Sequence, residues 1–311
     1  FRIVERGTDE HCIDQGFKRM ALEAGATIHY NTKADPKDCT IIAAGPKDTS
    51  AIAFGEVFKT SFPNHVSFQL NDKLAPGAYS YLIVIDGVGL ICTCLWRKQK
   101  NSNRYLNETI ACYEKLYPEL DREPIKRVGG KGDFSIPSTY FANEQYFVGE
   151  AGGLQDFMWG FGMRYAVTSG VMAANCLLNG TNYDAQIRKE LLPLIKLSAT
   201  NRMLMNRIGD RGFKRIAKYW MKHQRKNGND GLLFMERIYQ PSIIRRMLWP
   251  ITNRLLLRKV TYSNGRFGRR MPFRKALKRD NWTMSERGKE ISEEWKKIRA
   301  SGGNVSFTES D

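Results

Sequence analysis

Within the first fifty residues, the pattern of apolar and polar positions predicts one helix and two short strands. Apolar residues recur three and four positions apart in residues 14–25, which predicts an amphipathic helix with Asp14 as its cap and Gly25 as its terminator. Short apolar runs at residues 26–30 and 40–46 predict strands. A helix between strands is typical of an α/β nucleotide-binding layer.

The next part of the chain has the pattern of an antiparallel sheet. Apolar residues form four short β segments in succession, at residues 54–62, 65–72, 78–86 and 89–96. Turn signals that include Pro76-Gly77 and Asp86-Gly87 separate them. Consecutive strands with short connections predict antiparallel pairing. An amphipathic helix is expected at residues 107–116 and an extended segment at residues 133–138.

A glycine-rich turn between a strand and a helix is the most informative pattern of the sequence. The strand is the apolar run at residues 146–148, and the turn contains Gly149, Gly152, Gly153, Gly160 and Gly162. From Gly162 onward, apolar and small residues fall on one helical face: Met163, Ala166, Val167, Gly170, Val171, Ala174, Leu177 and Leu178. A helix that starts at glycine presents free N–H groups and a positive dipole end, which suit an anion or a polarised carbonyl. Glu150 can accept hydrogen bonds from sugar-like hydroxyls.

This pattern resembles the third flavin-binding signature of the FAD-dependent geranylgeranyl reductase family, within the aromatic-hydroxylase-like flavoproteins. The matching residues are Gly149-Glu150-Ala151-Gly152-Gly153, Gly160-Phe161-Gly162, Ala166 and Ser169-Gly170. The resemblance implies that FAD is the cofactor, that Glu150 binds its ribityl chain, and that the amides around Gly160, Phe161, Gly162 and Met163 face its pyrimidine edge. Ala151 belongs to the same cofactor-binding set. The family usually has Asp at the position of Glu150.

A second resemblance concerns the end of the strand at residues 40–46. The sequence AAGP at Ala43–Pro46 resembles the family's second signature, which makes Ala44 and Gly45 further cofactor-binding residues. Arg6 and Asp14 match an Arg followed by an Asp-capped helix in that family. Because the chain starts at Phe1 and FRIVERG has a strand-like pattern, we expect an N-terminal truncation, with the family's first signature (strand–GxGxxG–helix) upstream of Phe1.

The implied fold class is α/β (α+β). A Rossmann-like FAD-binding layer lacks its first βαβ unit, carries an inserted antiparallel-sheet substrate domain and continues into a helical C-terminal region. The expected boundaries are residues 1–50 and 136–190 for the FAD-binding domain, 51–135 for the substrate domain and 191–311 for the basic helical region.

In the resembling family, the inserted sheet covers the flavin and its underside forms the substrate cavity. Trp159, Tyr79 and Tyr81 are therefore expected to line that cavity. The implied reaction is reduction of isolated C=C bonds in the prenyl chain of an isoprenoid lipid by hydride from reduced flavin, with NAD(P)H or ferredoxin as electron donor. The sequence does not identify a catalytic acid. Two alternatives remain: an FAD-dependent monooxygenase or halogenase of the same fold, and a flavin-free basic membrane-binding protein with a structural glycine loop.

The charge distribution points to a second property of the chain. The net charge is +17, and residues 201–300 hold 27 Lys or Arg against 8 Asp or Glu. Arginine is interleaved there with Leu, Ile, Trp and Phe, for example at residues 241–260 and 265–282, a composition that suits a helix lying in a membrane interface. A solvated cationic face is the alternative. No nucleic acid is expected as a partner, because no recognisable nucleic-acid module surrounds the charge.

The remaining composition is that of a globular protein, with 42% hydrophobic and 26% charged residues. No apolar run of about 18 residues occurs, so no spanning helix is expected. The six cysteines and four histidines lack the spacing of metal ligands, so the sequence predicts no metal site and favours a reducing compartment. We expect a cytoplasmic protein, peripheral on the inner face of the membrane.

Overall fold

The structure is a computed structural model that describes residues 4–46, 49–227, 240 and 242–253. A three-stranded sheet is formed by β1 (Ile41–Ile42), β7 (Phe141–Ala142) and β8 (Gln145–Phe147). Its strand order is β1-β8-β7, with β1 parallel to β8 and β7 antiparallel to it. The predicted strands at residues 40–46 and 146–148 are confirmed in this sheet.

A five-stranded antiparallel sheet lies between β1 and β7 in the sequence. Its strands are β2 (Ala51–Lys59), β3 (His65–Gln69), β4 (Ser80–Ile85), β5 (Val88–Leu95) and β6 (Glu123–Gly132), in the order β3-β4-β5-β2-β6. The four predicted strands are confirmed, whereas β6 was not predicted. At the two ends of this segment Ser50 N donates to Gly132 O at 2.9 Å, so the sheet begins and ends at one point.

One face of the five-stranded sheet packs against α2 (Ser102–Leu116), which confirms the helix predicted there. The alternation of buried positions in β4 and β5 turns Leu82 and Ile91 toward this helix, where they pack with Leu106 and Tyr113. The buried carboxylate of Glu56 on the same face pairs with Arg122 and, at 3.7 Å, with Arg127. This face of the sheet is therefore closed.

The remaining helices are α1 (Ile13–Glu23), α3 (Met163–Asn179), α4 (Tyr183–Glu190), α5 (Leu192–Asn227) and α6 (Ile243–Met247). Helices α3, α4 and α5 pack together on a core that includes Tyr165, Met172, Ile187 and Ile195. Helix α5 contains a break at Gly209, whose φ of 51° and ψ of −168° are not helical. The mixed α/β class with an antiparallel sheet is confirmed, while the Rossmann interpretation and the domain boundaries stay predictions.

Three local predictions are wrong. Residues 26–30 form no strand, because α1 ends at Glu23 and no neighbouring strand pairs with them among the described residues. Residues 4–6, the described part of the strand-like N-terminus, are not a strand either. Cys12 rather than Asp14 is the N-cap of α1. Asp14 lies in the first turn and accepts hydrogen bonds from Arg6 and from Gly7 N.

The face that α3 buries also differs from the prediction. The predicted face, with Met163, Val167 and Val171 among its members, is largely exposed. The buried residues of the helix are Tyr165, Ser169, Met172, Ala173 and Cys176. Both faces are apolar enough to be buried, and the core takes the one with the larger side chains, whose Ser169 Oγ also accepts from Gly149 N at 2.9 Å.

No helix within the described residues has the length and apolar character needed to cross a membrane. Most of the basic segments that motivated the membrane prediction, including residues 254–260 and 265–282, lie outside the described residues.

Candidate functional site

The glycine-rich turn lies at the edge of the three-stranded sheet where the two parallel strands end. Strand β1 leads into Ala44 and Gly45, and β8 leads into Gly149 and Glu150. Parallel strands have their carboxyl ends at the same edge, and Val148 N donates to Ile42 O at 3.0 Å across it. Ligands of α/β sheets bind outside this edge. The two predicted cofactor-binding segments are therefore at one edge of one sheet.

Two glycines of the turn are required by the packing of the protein itself. A Cβ on Gly152 would lie 2.6 Å from Phe147 O, and one on Gly153 would lie 2.4 Å from Ser135 O. Gly153 also has a φ of +64°, a conformation that side chains rarely adopt. The turn folds tightly onto its own strand here, in the short 3-10 segment Gly149–Gly152, so these two glycines have a structural reason.

Three other predicted glycines have no close contact at the position of a Cβ. Nothing lies within 4 Å of a Cβ built on Gly45, and the nearest atoms to one built on Gly160 or Gly162 are at 3.6 and 3.7 Å. Gly160 and Gly45 are exposed, and Gly162 is half-buried. Packing therefore does not require glycine at Gly45 or Gly162, whereas Gly160, with a φ of +80°, has a backbone conformation that favours glycine.

The turn before α3 is closed by Asp156. Its Oδ2 accepts from Trp159 N at 2.5 Å, and its backbone carbonyl accepts from Gly160 N at 3.0 Å. The amides of Trp159 and Gly160 are thus already bonded within the turn. Gly162 is the N-cap of α3 and provides no side-chain cap, so the N–H groups of the first turn, from Met163 onward, have no helical acceptor. These amides are the candidate donors to a ligand.

Glu150 lies beside this helix start and is half-buried. Its Oε1 accepts from Asp133 N at 2.9 Å and from Gln155 Nε2 at 3.3 Å. Burial raises the pKa of this carboxyl above its ordinary value. Oε1 accepts both hydrogen bonds, and together they fix the direction of the side chain. No described residue donates to Oε2, so this oxygen is left for a donor on a ligand. The ribityl role of Glu150 stays a prediction.

The structure brings the three predicted cavity residues together. The rings of Tyr79 and Trp159 are 5.4 Å apart between centroids, and those of Tyr79 and Tyr81 are 6.1 Å apart. Tyr79 Oη donates to Trp159 O at 2.5 Å. Burial raises the pKa of both Tyr79 and Tyr81 well above the ordinary value, so both phenols stay protonated. Tyr79 thereby joins the five-stranded sheet to the turn that precedes α3.

An open apolar surface extends from this cluster over the second face of the five-stranded sheet. The register of β3, β4 and β5 places Val66, Ile83 and Leu90 side by side, on the same face as Tyr81. Val66 and Phe68 are 57% and 58% exposed, and Phe68 approaches Trp159 with 6.3 Å between ring centroids. We call this surface the open sheet face; it comprises Val66, Phe68, Tyr81, Ile83, Ile85, Val88 and Leu90. The continuity of this surface was not predicted, although the alternation of residues in each strand could have shown it.

Comparison with known proteins places few constraints on the chain. No protein-family model matches it, and no curated protein matches it. Among solved structures, it is similar to a geranylgeranyl bacteriochlorophyll reductase-like protein from Thermoplasma acidophilum, with 17% identity and a TM-score of 0.37 over 66% of this chain and 52% of that one. The chain therefore spans about half the length of that protein.

Two halogenases are also similar in structure. CmlS, a flavin-dependent halogenase, has 10% identity and a TM-score of 0.25 over 81% of this chain and 38% of that one. MibH, a tryptophan 5-halogenase, has 9% identity and a TM-score of 0.32 over 80% and 47%. Such low TM-scores carry no weight for function, which has to come from the geometry of the site.

Proposed function

We propose that the chain is part of an FAD-dependent oxidoreductase. The observation that carries the proposal is the meeting of three features at one sheet edge: glycines without close neighbours at the Cβ position, an uncapped helix start, and a carboxylate with one oriented oxygen. These features would suit the isoalloxazine and ribityl parts of a flavin, because no side chain at Gly160 or Gly162 keeps a flat ring away from the backbone. Reduced FAD would supply the hydride.

The residues of the chain have separate parts in this proposal. Glu150 Oε2 accepts a ribityl hydroxyl, and Oε1 keeps the carboxylate in place. The first turn of α3 offers N–H groups and a positive dipole end to negative charge at the pyrimidine edge, which favours reduction. Ala44 and Gly45 bring a second stretch of backbone to the same sheet edge. Tyr79 positions the turn, because its hydroxyl donates a hydrogen bond to Trp159 O.

For the substrate, we propose the prenyl chain of an isoprenoid lipid, whose isolated C=C bonds are reduced. The open sheet face supports this choice, because it is apolar, continuous and adjacent to Trp159 and Tyr79. Burying an exposed Val or Phe side chain against an apolar chain contributes about 1.5–3 kcal/mol. Electrons would come from NAD(P)H or ferredoxin.

The flavin site can be tested with one substitution at a position that has room for it. Gly162 has a φ of −113°, which any residue adopts, and no atom of another residue lies closer than 3.7 Å to its added Cβ. Gly162→Val should therefore fold, with a modest loss of stability because Val is a poor N-cap residue, and yet block a ring from reaching the helix start. Gly130→Val is the matched control, because nothing lies within 4 Å of a Cβ built on Gly130 in β6, which lies in the other sheet.

The measurement is fluorescence quenching of FMN, which carries the ring and ribityl chain, titrated with each purified variant. We expect saturable quenching by the wild type and by Gly130→Val, and at least about tenfold weaker binding by Gly162→Val, equivalent to 1.4 kcal/mol. Equal binding by all three proteins, or none by the wild type, contradicts a flavin at this edge. It would favour a glycine loop that is only structural.

A second assay separates the reductase from the monooxygenase or halogenase alternative. A prenyl reductase saturates its lipid without oxygen when a low-potential donor is present. A monooxygenase or halogenase instead oxidises NAD(P)H in step with oxygen consumption. Mass spectrometry of the lipid after anaerobic incubation gives a gain of two hydrogens per reduced bond in the first case. No mass change under these conditions, with oxygen-dependent NAD(P)H oxidation, supports the second.

We also propose that the protein attaches peripherally to anionic membranes. Within the described residues, α6 exposes Ile243, Ile244 and Met247 and carries Arg245 and Arg246 between them. Each cation near an anionic surface contributes about 1 kcal/mol. Flotation with vesicles of neutral lipid or of neutral plus anionic lipid tests this, and binding that does not depend on anionic lipid counts against it.

A further inference from the structure

The start of α1 brings together three side chains of different chemistry that the flavin site does not use. They are Glu5, His11 and Cys12, and one ligand atom from each lies within 4.8 Å of the other two. His11 Nε2 and Glu5 Oε2 are 2.8 Å apart. Glu5 and His11 are exposed, whereas Cys12 is only 1% exposed. A buried sulfur thus forms the floor of a small cluster whose other two groups reach solvent.

The backbone holds these groups together without help from a bound ion. Ile13 N donates to Glu5 O at 3.1 Å, and Cys12 N donates to Asp9 O at 2.9 Å, so the segment forms a closed loop. Asp14 adds a second tie, since its carboxylate binds both Arg6 and Gly7 N. A loop ordered in advance loses less conformational entropy when it takes up a ligand.

The local charge favours a cation, although the whole chain is basic. Residues 5–14 contain four carboxylates and one arginine, in a chain with a net charge of +17. The one arginine in this segment, Arg6, is engaged by Asp14, with Nη2 and Oδ1 2.7 Å apart.

We propose that Glu5, His11 and Cys12 form a binding site for a divalent transition-metal ion of the Zn²⁺ type. Carboxylate oxygen, imidazole nitrogen and thiolate sulfur are the three ligand types that zinc takes in proteins, at about 2.0–2.3 Å. Neighbouring ligand atoms in a tetrahedral site are then about 3.3–3.8 Å apart. The separations observed, 2.8 Å between Glu5 Oε2 and His11 Nε2 and at most 4.8 Å for the other pairs, bracket this spacing, and water would complete the fourth position.

The site is independent of the flavin proposal and can be tested with the chain alone. Co²⁺ serves as the probe, because a cobalt–thiolate bond gives a charge-transfer band in the near ultraviolet and tetrahedral cobalt gives intense visible bands. Addition of Co²⁺ to the reduced, chelator-free protein should produce both, and an equimolar amount of Zn²⁺ should remove them. Absence of the charge-transfer band in the wild type overturns the proposal.

Matched variants assign the signal to these residues. Cys12→Ser should abolish the charge-transfer band, whereas Cys39→Ser should keep it, because Cys39 is half-buried near Asp35 and Asp38 but lies outside the cluster. Because Cys12 is buried and its variant can lose stability, the exposed positions provide a second measure. Glu5→Gln and His11→Gln should each weaken Co²⁺ binding at least about tenfold while leaving the circular dichroism spectrum unchanged.

The contrary outcomes are equally definite. A charge-transfer band that persists in folded Cys12→Ser, or one that Cys39→Ser removes, shows that another cysteine binds the metal. Unchanged affinity in both Glu5→Gln and His11→Gln shows that the two groups form only a surface ion pair.

Discussion

The pairing of Gly89 with Phe58 allows the packing of the five-stranded sheet to be tested with a single methyl group. The two residues face each other across β5 and β2, and the Phe58 side chain is completely buried. A Cβ on Gly89 would lie 2.2 Å from Phe58 Cζ and 2.3 Å from Cε2, so the ring covers the glycine directly. Gly89→Ala must displace the ring, and overpacking of this kind typically costs 1–3 kcal/mol, with about 3 expected here.

A control substitution at Gly130 should not lower the free energy of unfolding. Gly130 also lies in a strand of this sheet, but nothing lies within 4 Å of its added Cβ. Because glycine within a strand is about 0.5–1 kcal/mol less favourable than alanine, Gly130→Ala should be neutral or stabilising. Urea denaturation followed by circular dichroism gives the free energy of unfolding of each variant. Equal effects of the two substitutions would refute the stated contact.

A double-mutant cycle makes the test specific to the ring. Phe58→Leu alone removes buried carbon atoms and should cost about 1–3 kcal/mol. In the double variant, the smaller side chain makes room for the new methyl group. The double variant should then be at least about 1 kcal/mol more stable than the sum of the single effects predicts. Simple additivity would show that the alanine acts elsewhere.

Three further predictions concern carboxylates. Glu56→Ala should lower the free energy of unfolding by about 1.5–3 kcal/mol, because Arg122 and Arg127 lose their buried counter-ion while Arg122 keeps its pair with Glu114. Glu108→Ala, at an exposed i,i+4 pair, should cost about 0.3–0.5 kcal/mol, and urea denaturation measures both variants. Burial raises the pKa of Glu150 above 4.5, so the charge of its carboxylate opposes folding at neutral pH. Glu150→Gln should therefore be at least as stable as the wild type at pH 7. Any such gain in stability should vanish as the pH falls below 4.5. The pKa of Asp121 is instead lowered by a hydrogen bond from the Thr60 hydroxyl, so the stabilisation by its charge is present above pH 3.8 and is lost on acidification. The difference in stability between the wild type and Asp121→Asn should therefore narrow in acid. For Glu150 and Asp121 alike, a difference that stays constant in thermal melts across pH contradicts the stated pKa shift.

The sequence predicted best where one face of an element is apolar and the other polar. Helix α2 and strands β2 to β5 were predicted correctly, because the spacing of their apolar and polar residues fits only one kind of secondary structure. Strand β6 was missed because its residues EPIKRVGGKG contain three glycines and four charges, and it is held as an edge strand by pairing with β2. Such pairing depends on a partner distant in sequence and leaves little local pattern.

The predictions for α3 and residues 26–30 failed for a related reason. Helix α3 has small apolar residues on one side and Tyr165, Met172 and Cys176 on the other, so periodicity alone does not decide which side is buried. Residues 26–30 have a strand-like composition, but a strand requires a neighbour, which the described residues do not supply.

For the candidate site, the sequence located the glycine turn but not the division of labour within it. All five glycines belonged to one motif, and only the structure separates Gly152 and Gly153, which packing requires, from Gly160 and Gly162, where an added Cβ would make only ordinary van der Waals contacts. The proximity of Tyr79, Tyr81 and Trp159 was predicted through family resemblance rather than from spacing. The cluster of Glu5, His11 and Cys12 was not predicted, since the closed loop that unites them has no sequence spacing typical of metal ligands.

The hydrogen bond between Ser50 and Gly132 has a consequence for how such a molecule can be assembled and altered. The five-stranded sheet is an insertion whose first and last residues lie side by side, so a different insertion could replace it without moving the ends of β1 and β8. During folding, parallel pairing of β1 with β8 must close a loop of about a hundred residues. The entropic cost of this loop closure is smaller once the five-stranded sheet has formed. The sheet edge that carries the glycine-rich turn would then form after the five-stranded sheet.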